Sequence, residues 1–210
     1  MGIYGGTFDP VHHGHLRPAL EVMEALALGE VCFVPNGRPP HRDSPGCTAE
    51  QRLQMLQAAL AGQPGFSIDE RELGRAGPSW TVDTLEQIRA EQGARPLCLI
   101  MGMDAFLGLP EWHRWQDLLA LAHLVVMRRP GWKLPRDTQP GRLLHTNAAA
   151  SKRDLHQQPA GLVLLQTVTP LDISATRIRA LVAAGHSPRF LLPDPVWRLI
   201  GQQHYYGMKQ

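Results

Sequence analysis

The feature that most narrows the fold is an alternation of short apolar runs with longer amphipathic ones. "GIYGG", "EVCFVP", "FSIDE", "LCLIMG", "HLVVMRR" and "LVLLQTV" read as strands, several apolar almost throughout, as strands buried on both faces are. Between and after them, periodicity predicts helices over roughly His15 to Leu28, Ala49 to Leu60 and Thr81 to Glu91, a short one ending at Leu118 to Leu121, and two more at Ser174 to Ala184 and Asp194 to His204. "TAEQ" at Thr48 to Gln51 has the form of a capping box, and Gly62 and Gly185 stand as helix stops. Strand then helix, repeated, is the βαβ pattern of a doubly wound, mainly parallel α/β sheet flanked by helices, whose sites lie at the carboxyl ends of the strands. The first such end carries "GGTFDP".

With 210 residues and 43% apolar content, the chain has the size of a single domain spanning 1–210. From about 130 to 159 it turns polar and proline-rich, a variable excursion with limited helix. The net charge is +2, and its eighteen Arg and three Lys are scattered, so there is no basic stripe for nucleic acid or a membrane surface. Cys32, Cys47 and Cys98 are odd in number and lack CxxC spacing, which fits reduced thiols; Cys32 and Cys98 fall in apolar runs and read as core. The longest apolar run, "LLALAHLVVM", breaks at His123 and is too short to span a bilayer, and no leader pattern is visible, so the expected location is the cytoplasm.

"GGTFDPVHHGH", Gly5 to His15, places two glycines after a strand and three histidines at the start of a helix. Free amides at a helix start favour an anion, and glycine allows the close backbone approach that a phosphate cradle needs. His12 and His15, three apart, fall on the same side of the first turn, Gly14 keeps the path between them open, and His13 points elsewhere. A tight turn followed by surface histidines would fit the same residues. A zinc site fits less well, because HxxH has no third and fourth ligand nearby, and the stretch is not the GxGxxG dinucleotide fingerprint.

This stretch resembles the signature of the nucleotidyltransferases that carry an HxGH motif, with His12 and His15 as its histidines, and "ISATRIR" at Ile173 to Arg179 resembles their late ISxTxxR motif. The resemblance spans the chain apart from the excursion. It implies a Rossmann-like sheet and adenylyl transfer from ATP, with Gly5, Gly6, Thr7, His12, His15, Ser174, Thr176 and Arg179 toward ATP and His15, His12 and Arg179 in the chemistry. In-line attack on the α-phosphorus needs positioning and charge neutralisation and no covalent nucleophile. Histidines can donate to the phosphate as it becomes five-coordinate, a helix opened by Ser174 and Thr176 favours phosphate, and Arg179 offers a fork of donors; Arg177 lies close by. The same stretch also suits an ordinary capped amphipathic helix. Mg²⁺, held mainly by phosphate and water, is the expected cofactor.

Three further stretches resemble the nicotinate mononucleotide adenylyltransferase family within that group. "PNGRPPHR" resembles its PPHK loop, with His41 matching and Arg42 where Lys is common, a fork in place of a point charge. "PSWTVDTL" resembles SYTxDTL, and "MGMDAFLGLPEWHRW" its GxDxxxxxxxW segment. The resemblance implies nicotinate mononucleotide as the second substrate, with Arg42 also in the chemistry and His41, Arg42, Ser79, Trp80, Thr81, Asp104, Trp112 and His113 around it. The pyridinium ring is flat and cationic and stacks on an indole, the place of Trp112. Its carboxylate needs donors, which loop amides at Ser79 to Thr81 and His113 offer, and Asp104 can accept from ribose hydroxyls. Trp80, Trp112 and Trp115 also suit half-buried gap fillers, Trp115 most of all. Nicotinamide mononucleotide or phosphopantetheine are the alternative acceptors, although phosphopantetheine enzymes lack an SWTxDTL-like segment. A class I aminoacyl-tRNA synthetase fragment also has an HxGH element, but this chain has no KMSKS-like stretch; a non-catalytic nucleotide sensor would not need His12, His15 and Arg179 intact.

Overall fold

Strands β1 (Gly2–Gly6), β2 (Val31–Pro35), β3 (Phe66–Ile68), β4 (Cys98–Gly102), β5 (His123–Arg128) and β6 (Val163–Thr167) form one all-parallel sheet in the order β3-β2-β1-β4-β5-β6. These come from a computed structural model that describes residues 1–38, 45–128 and 137–207. Alternation along the strands sorts the core onto two faces. Tyr4, Phe33, Ile100, Val125 and Met127 point to one, and Ile3, Val34, Leu99, Met101, Leu124 and Val126 to the other. Burial on both faces is why the central strands are apolar throughout.

Helices α1 (His13–Ala25), α2 (Ala49–Leu60), α7 (Ala175–Ala183) and α8 (Asp194–Gln202) cover the first face through Val22, Leu56, Ile178 and Val196. Helices α3 (Thr81–Gln92), α4 (Met103–Leu107) and α5 (Leu118–Leu121) cover the second through Leu85, Phe106 and Leu118. The sixth helix, α6 (Gln139–Asn147), lies in the polar excursion. Each fully buried Leu or Ile contributes about 1.5–3 kcal/mol, so both layers matter to stability.

The chain order along the sheet reverses between β1 and β4. Their ladder pairs only Gly2 with Cys98 and Ile3 with Leu99, whereas β1 and β2 pair along their full length. Connections leaving β1 and β4 diverge to opposite faces, which opens a crevice beyond their carboxyl ends, the switch point where doubly wound sheets bind ligands.

Several boundaries differ from the sequence reading. Helix α1 starts at His13 and stops at Ala25, because Ala27 takes a left-handed φ of 48° and Leu28 N–H turns back to the Met23 carbonyl. Helix α4 was not anticipated; five residues are too few for periodicity to register. The described part of the excursion, 137–159, is tied to the sheet and to α1: Leu155 is buried, Ala149 N–H donates to the Val163 carbonyl at 3.0 Å, and His156 Nε2 lies 2.9 Å from the Leu26 carbonyl. The capping box is present, with Thr48 N–H on Gln51 Oε1 (2.9 Å) and Gln51 N–H on Thr48 Oγ1 (3.3 Å), and Gly185 terminates α7 with φ 77°. All three cysteines are buried and unpaired, and no helix among the described residues is long and apolar enough to cross a membrane.

Candidate active site

Strand β1 delivers residues 5–12 to the crevice, and α1 begins directly behind them. Gly5 is exposed with open space on its side-chain position, whereas a Cβ on Gly6 would stand 2.9 Å from the Phe8 ring. His12 is the N-cap of α1, and its imidazole lies against that of His15 with ring centres 3.8 Å apart and planes at 25°. Phe8 meets the His15 ring edge-on at 5.2 Å. The His12 main-chain N–H donates to His15 Nδ1 at 3.3 Å. A neutral imidazole that accepts at Nδ1 carries its proton on Nε2, so His15 is set up as an Nε2 donor. His12 is 4% exposed, and its Nδ1 has no partner among the described residues. Burial, with the His13 charge beside it, lowers its pKa to about 4, so it is neutral at physiological pH. His13 uses its N–H elsewhere, on the Leu191 carbonyl at 3.1 Å.

The second motif arrives at the same place. A Cβ on Gly14 would stand 2.9 Å from His12 Nδ1 and 3.1 Å from the Ile173 carbonyl, so the start of α1 and the approach to α7 are in contact there and only glycine fits between. Ser174 caps α7, its Oγ accepting from Arg177 N–H at 3.2 Å. Arg179, one turn in, donates from Nη1 to the main-chain carbonyl of Asp9 at 2.7 Å and from Nη2 to Thr176 Oγ1 at 3.4 Å. A crevice of about 460 Å³ runs between the two motifs, lined by Tyr4, Gly14, Gly102, Asp104, Thr169, Asp172 and Ser174 among others. Its wall at 169–174 is tied to α1 by Glu21, which accepts from Thr169 N–H at 2.7 Å.

On the other side of β1 the chain leaving β2 is anchored before residue 39. Ser79 Oγ accepts from the N–H of Gly37 (3.1 Å) and of Arg38 (3.3 Å), and Ser79 N–H returns a bond to the Arg38 carbonyl. The buried guanidinium of Arg52 bridges the Thr7 carbonyl (2.7 Å) and the Gly37 carbonyl (3.3 Å), locking the first loop to the second. Beneath them Glu72, 5% exposed, accepts from Thr84 Oγ1 at 2.6 Å, and burial raises its pKa. Gly37 passes so close over the Glu72 carbonyl, 2.3 Å from a would-be Cβ, that no side chain fits. Trp80 is the N-cap of α3, and its ring lies 4.9 Å from that of His113, which is exposed, with the planes tilted by 34°. Trp112 and Trp115 are half-buried against the second core face.

Residues 3–181 match the cytidylyltransferase-like family. A relative from Aeromonas hydrophila, named a probable nicotinate-nucleotide adenylyltransferase, is 53% identical over 206 residues, 98% of this chain and 96% of its own length. One of the same name from Marinobacter nauticus is 50% identical over 208 residues, 99% of this chain and 96% of its own. This chain belongs to the nicotinate-nucleotide adenylyltransferase family. The fold agrees: the Plasmodium falciparum nicotinic acid mononucleotide adenylyltransferase complexed with NaAD superposes with a TM-score of 0.73 at 14% identity, covering 99% of this chain and 97% of that one.

For a member of the nicotinate-nucleotide adenylyltransferase family, the residues expected from sequence fall into three sets, apart from Gly5, exposed at the end of β1, and Trp112, set against the second core face. His12 and His15 pair at the start of α1, Arg179 with Thr176 reaches the Asp9 carbonyl from α7, and Ser174 and Asp104 lie on the crevice wall, while Gly6 packs on Phe8 and Thr7 is held by Arg52. Ser79, Trp80, Thr81 and His113 gather at the start of α3, and Ser79 is 6% exposed with its hydroxyl engaged by the loop amides rather than presented to the crevice. His41 and Arg42 lie outside the described residues. Sequence reasoning missed Asp9, Arg52, Glu72 and Tyr206. The only signal for Asp9 was its place before Pro10 in the turn, and for Arg52 its position in an otherwise apolar helix face beside Met55 and Leu56.

Proposed function

We propose that this chain transfers the adenylyl group of ATP to nicotinate mononucleotide, giving deamido-NAD and pyrophosphate, a step of NAD biosynthesis. The observation that carries this reading is the contact at Gly14, where the HxGH turn and the ISATRIR segment meet at the switch point of the sheet. A phosphate oxygen of the mononucleotide attacks the α-phosphorus of ATP in line, the bond to the β-phosphate oxygen breaks, and pyrophosphate leaves with that electron pair. No covalent intermediate forms.

His15 donates from Nε2 to a non-bridging α-phosphate oxygen whose charge grows in the transition state, which the bond at its Nδ1 supports. His12 lies on the same oxygens or on the β-phosphate; a polyphosphate beside it would supply a partner that its buried Nδ1 lacks among the described residues. Arg179, with Ser174 and Thr176 at the start of α7, meets the β- and γ-phosphates, and Gly5, Gly6 and Thr7 form the cradle. Arg42 and His41 meet the acceptor phosphate, Trp112 stacks on the pyridinium ring, Asp104 takes the ribose, and first-turn amides of α3 with His113 hold the carboxylate. Mg²⁺ bound through the ATP phosphates would neutralise leaving-group charge. The hard oxygen donors of Asp172, which lines the crevice, suit its water shell.

The test is pyrophosphate release from Mg-ATP with nicotinate mononucleotide, nicotinamide mononucleotide or phosphopantetheine in parallel. Turnover is expected with the first; turnover only with phosphopantetheine would reassign the acceptor.

A further inference from the structure

We propose that Tyr206 is a positioning residue for the phosphate site: its hydroxyl keeps the Asp9 carboxylate from capturing Arg179. Tyr206 lies in a short 3-10 turn, Tyr205–Gly207, beyond the last residue matched to the family. Its OH donates to Asp9 Oδ1 at 2.8 Å, with Met55 Sδ a longer and weaker acceptor at 3.8 Å. The other carboxylate oxygen, Oδ2, accepts from Gly46 N–H at 2.7 Å. Asp9 is 4% exposed, so water does not share this duty.

Two neutral donors thus satisfy a buried anion that stands beside a cation. Arg179 Nη1 is 3.7 Å from Asp9 Oδ2, yet it is committed at 2.7 Å to the Asp9 main-chain carbonyl, and Nη2 to Thr176. The Tyr206 ring and the Arg179 stem both flank Gly46, standing 3.1 Å and 3.2 Å from a would-be Cβ there, so the two side chains share one slot. A buried carboxylate that loses a donor recruits the nearest replacement, and charge-assisted pairing with a guanidinium is the strongest on offer. Without the Tyr206 hydroxyl, the Arg179 head swings from its carbonyl toward the carboxylate and away from an incoming phosphate.

The inference rests on the reading that Arg179 meets the phosphates of ATP. Its test is Tyr206→Phe, which keeps the ring, with Tyr205→Phe as control, since Tyr205 OH bonds Gln54 Oε1 (3.3 Å) on α2, away from Asp9. Steady-state kinetics and calorimetric titration with α,β-methylene-ATP are run on the full chain. In Tyr206→Phe, KM for ATP and Kd for the analogue should rise about tenfold, while KM for nicotinate mononucleotide stays within twofold. Tyr205→Phe should change neither, and adding Tyr206→Phe to Arg179→Ala should weaken ATP no further. A loss of stability with both KM values unchanged, or full additivity with Arg179→Ala, overturns the inference alone. Wild-type protein that binds no ATP analogue overturns the functional reading and this inference with it.

Discussion

His12 and His15 lie face to face, 3.8 Å between ring centres, and differ in wiring: His15 Nδ1 accepts a main-chain N–H, and His12 Nδ1 is buried without a partner among the described residues. One ring is a fixed donor and the other a pre-desolvated group waiting for charge. From this asymmetry and the contacts around it, separable effects follow.

For His15, replacement by Ala should lower kcat by about 10²–10³, with the KM values changed little, because its contact strengthens chiefly in the transition state. His13→Ala should be nearly silent, since His13 contributes its main-chain N–H to the site's framework. Equal losses at both positions in steady-state assays would remove the HxGH assignment.

His12 makes stability depend on pH. Its folded pKa, lowered to about 4, is below the unfolded value near 6.5, so the unfolded chain takes up a proton that the folded chain refuses. This contribution is whole above pH 6.5 and is lost as pH falls from 6.5 toward 4, at a slope approaching about 1.4 kcal/mol per pH unit. Urea unfolding of His12→Asn at pH 7.5 and 5.5 should show a drop smaller by about 1 kcal/mol than wild type. Parallel pH dependences would mean that His12 titrates normally.

Ser79 should act on the acceptor side only. Ser79→Ala leaves the Gly37 and Arg38 amides without their shared acceptor, at a cost of about 1–3 kcal/mol for each that stays buried. The expected outcome is a KM for nicotinate mononucleotide raised roughly tenfold, with KM for ATP near wild type. A change confined to ATP would contradict the anchoring role.

Acid should be preferred over amide. Donors aimed at a carboxylate meet an NH₂ group on nicotinamide mononucleotide, and two unpaired donors give a factor of about one hundred in kcat/KM. Trp112→Ala should weaken both acceptors and leave their ratio less affected, because both rings are cationic. Comparable turnover of the two by wild type would make the enzyme a dual-specificity one.

The strands and most helices were legible because each βα unit writes its own period: the "VCFVP" of β2 is buried end to end, and Thr48 and Gln51 cap α2 as their spacing required. The HxGH turn and the α7 start were legible as motifs because their chemistry is local. What stayed hidden is long-range. Nothing near Asp9 foretells that its acceptors face Gly46, Arg179 and Tyr206, and Arg52 reads as a surface charge until the backbone carbonyls of Thr7 and Gly37 close around it. Ser79 shows the converse, a polar residue read toward ligand whose hydroxyl serves the neighbouring loop.

The bonds to Asp9 from Arg179 and Tyr206 span 170 and 197 positions, and His13 is held by Leu191. Loop closure over such separations is slow, and on the ribosome the first turn emerges long before its partners exist. The histidine turn is therefore braced by contacts that close after the local βα units have formed, so it is framed late in folding although it is made early.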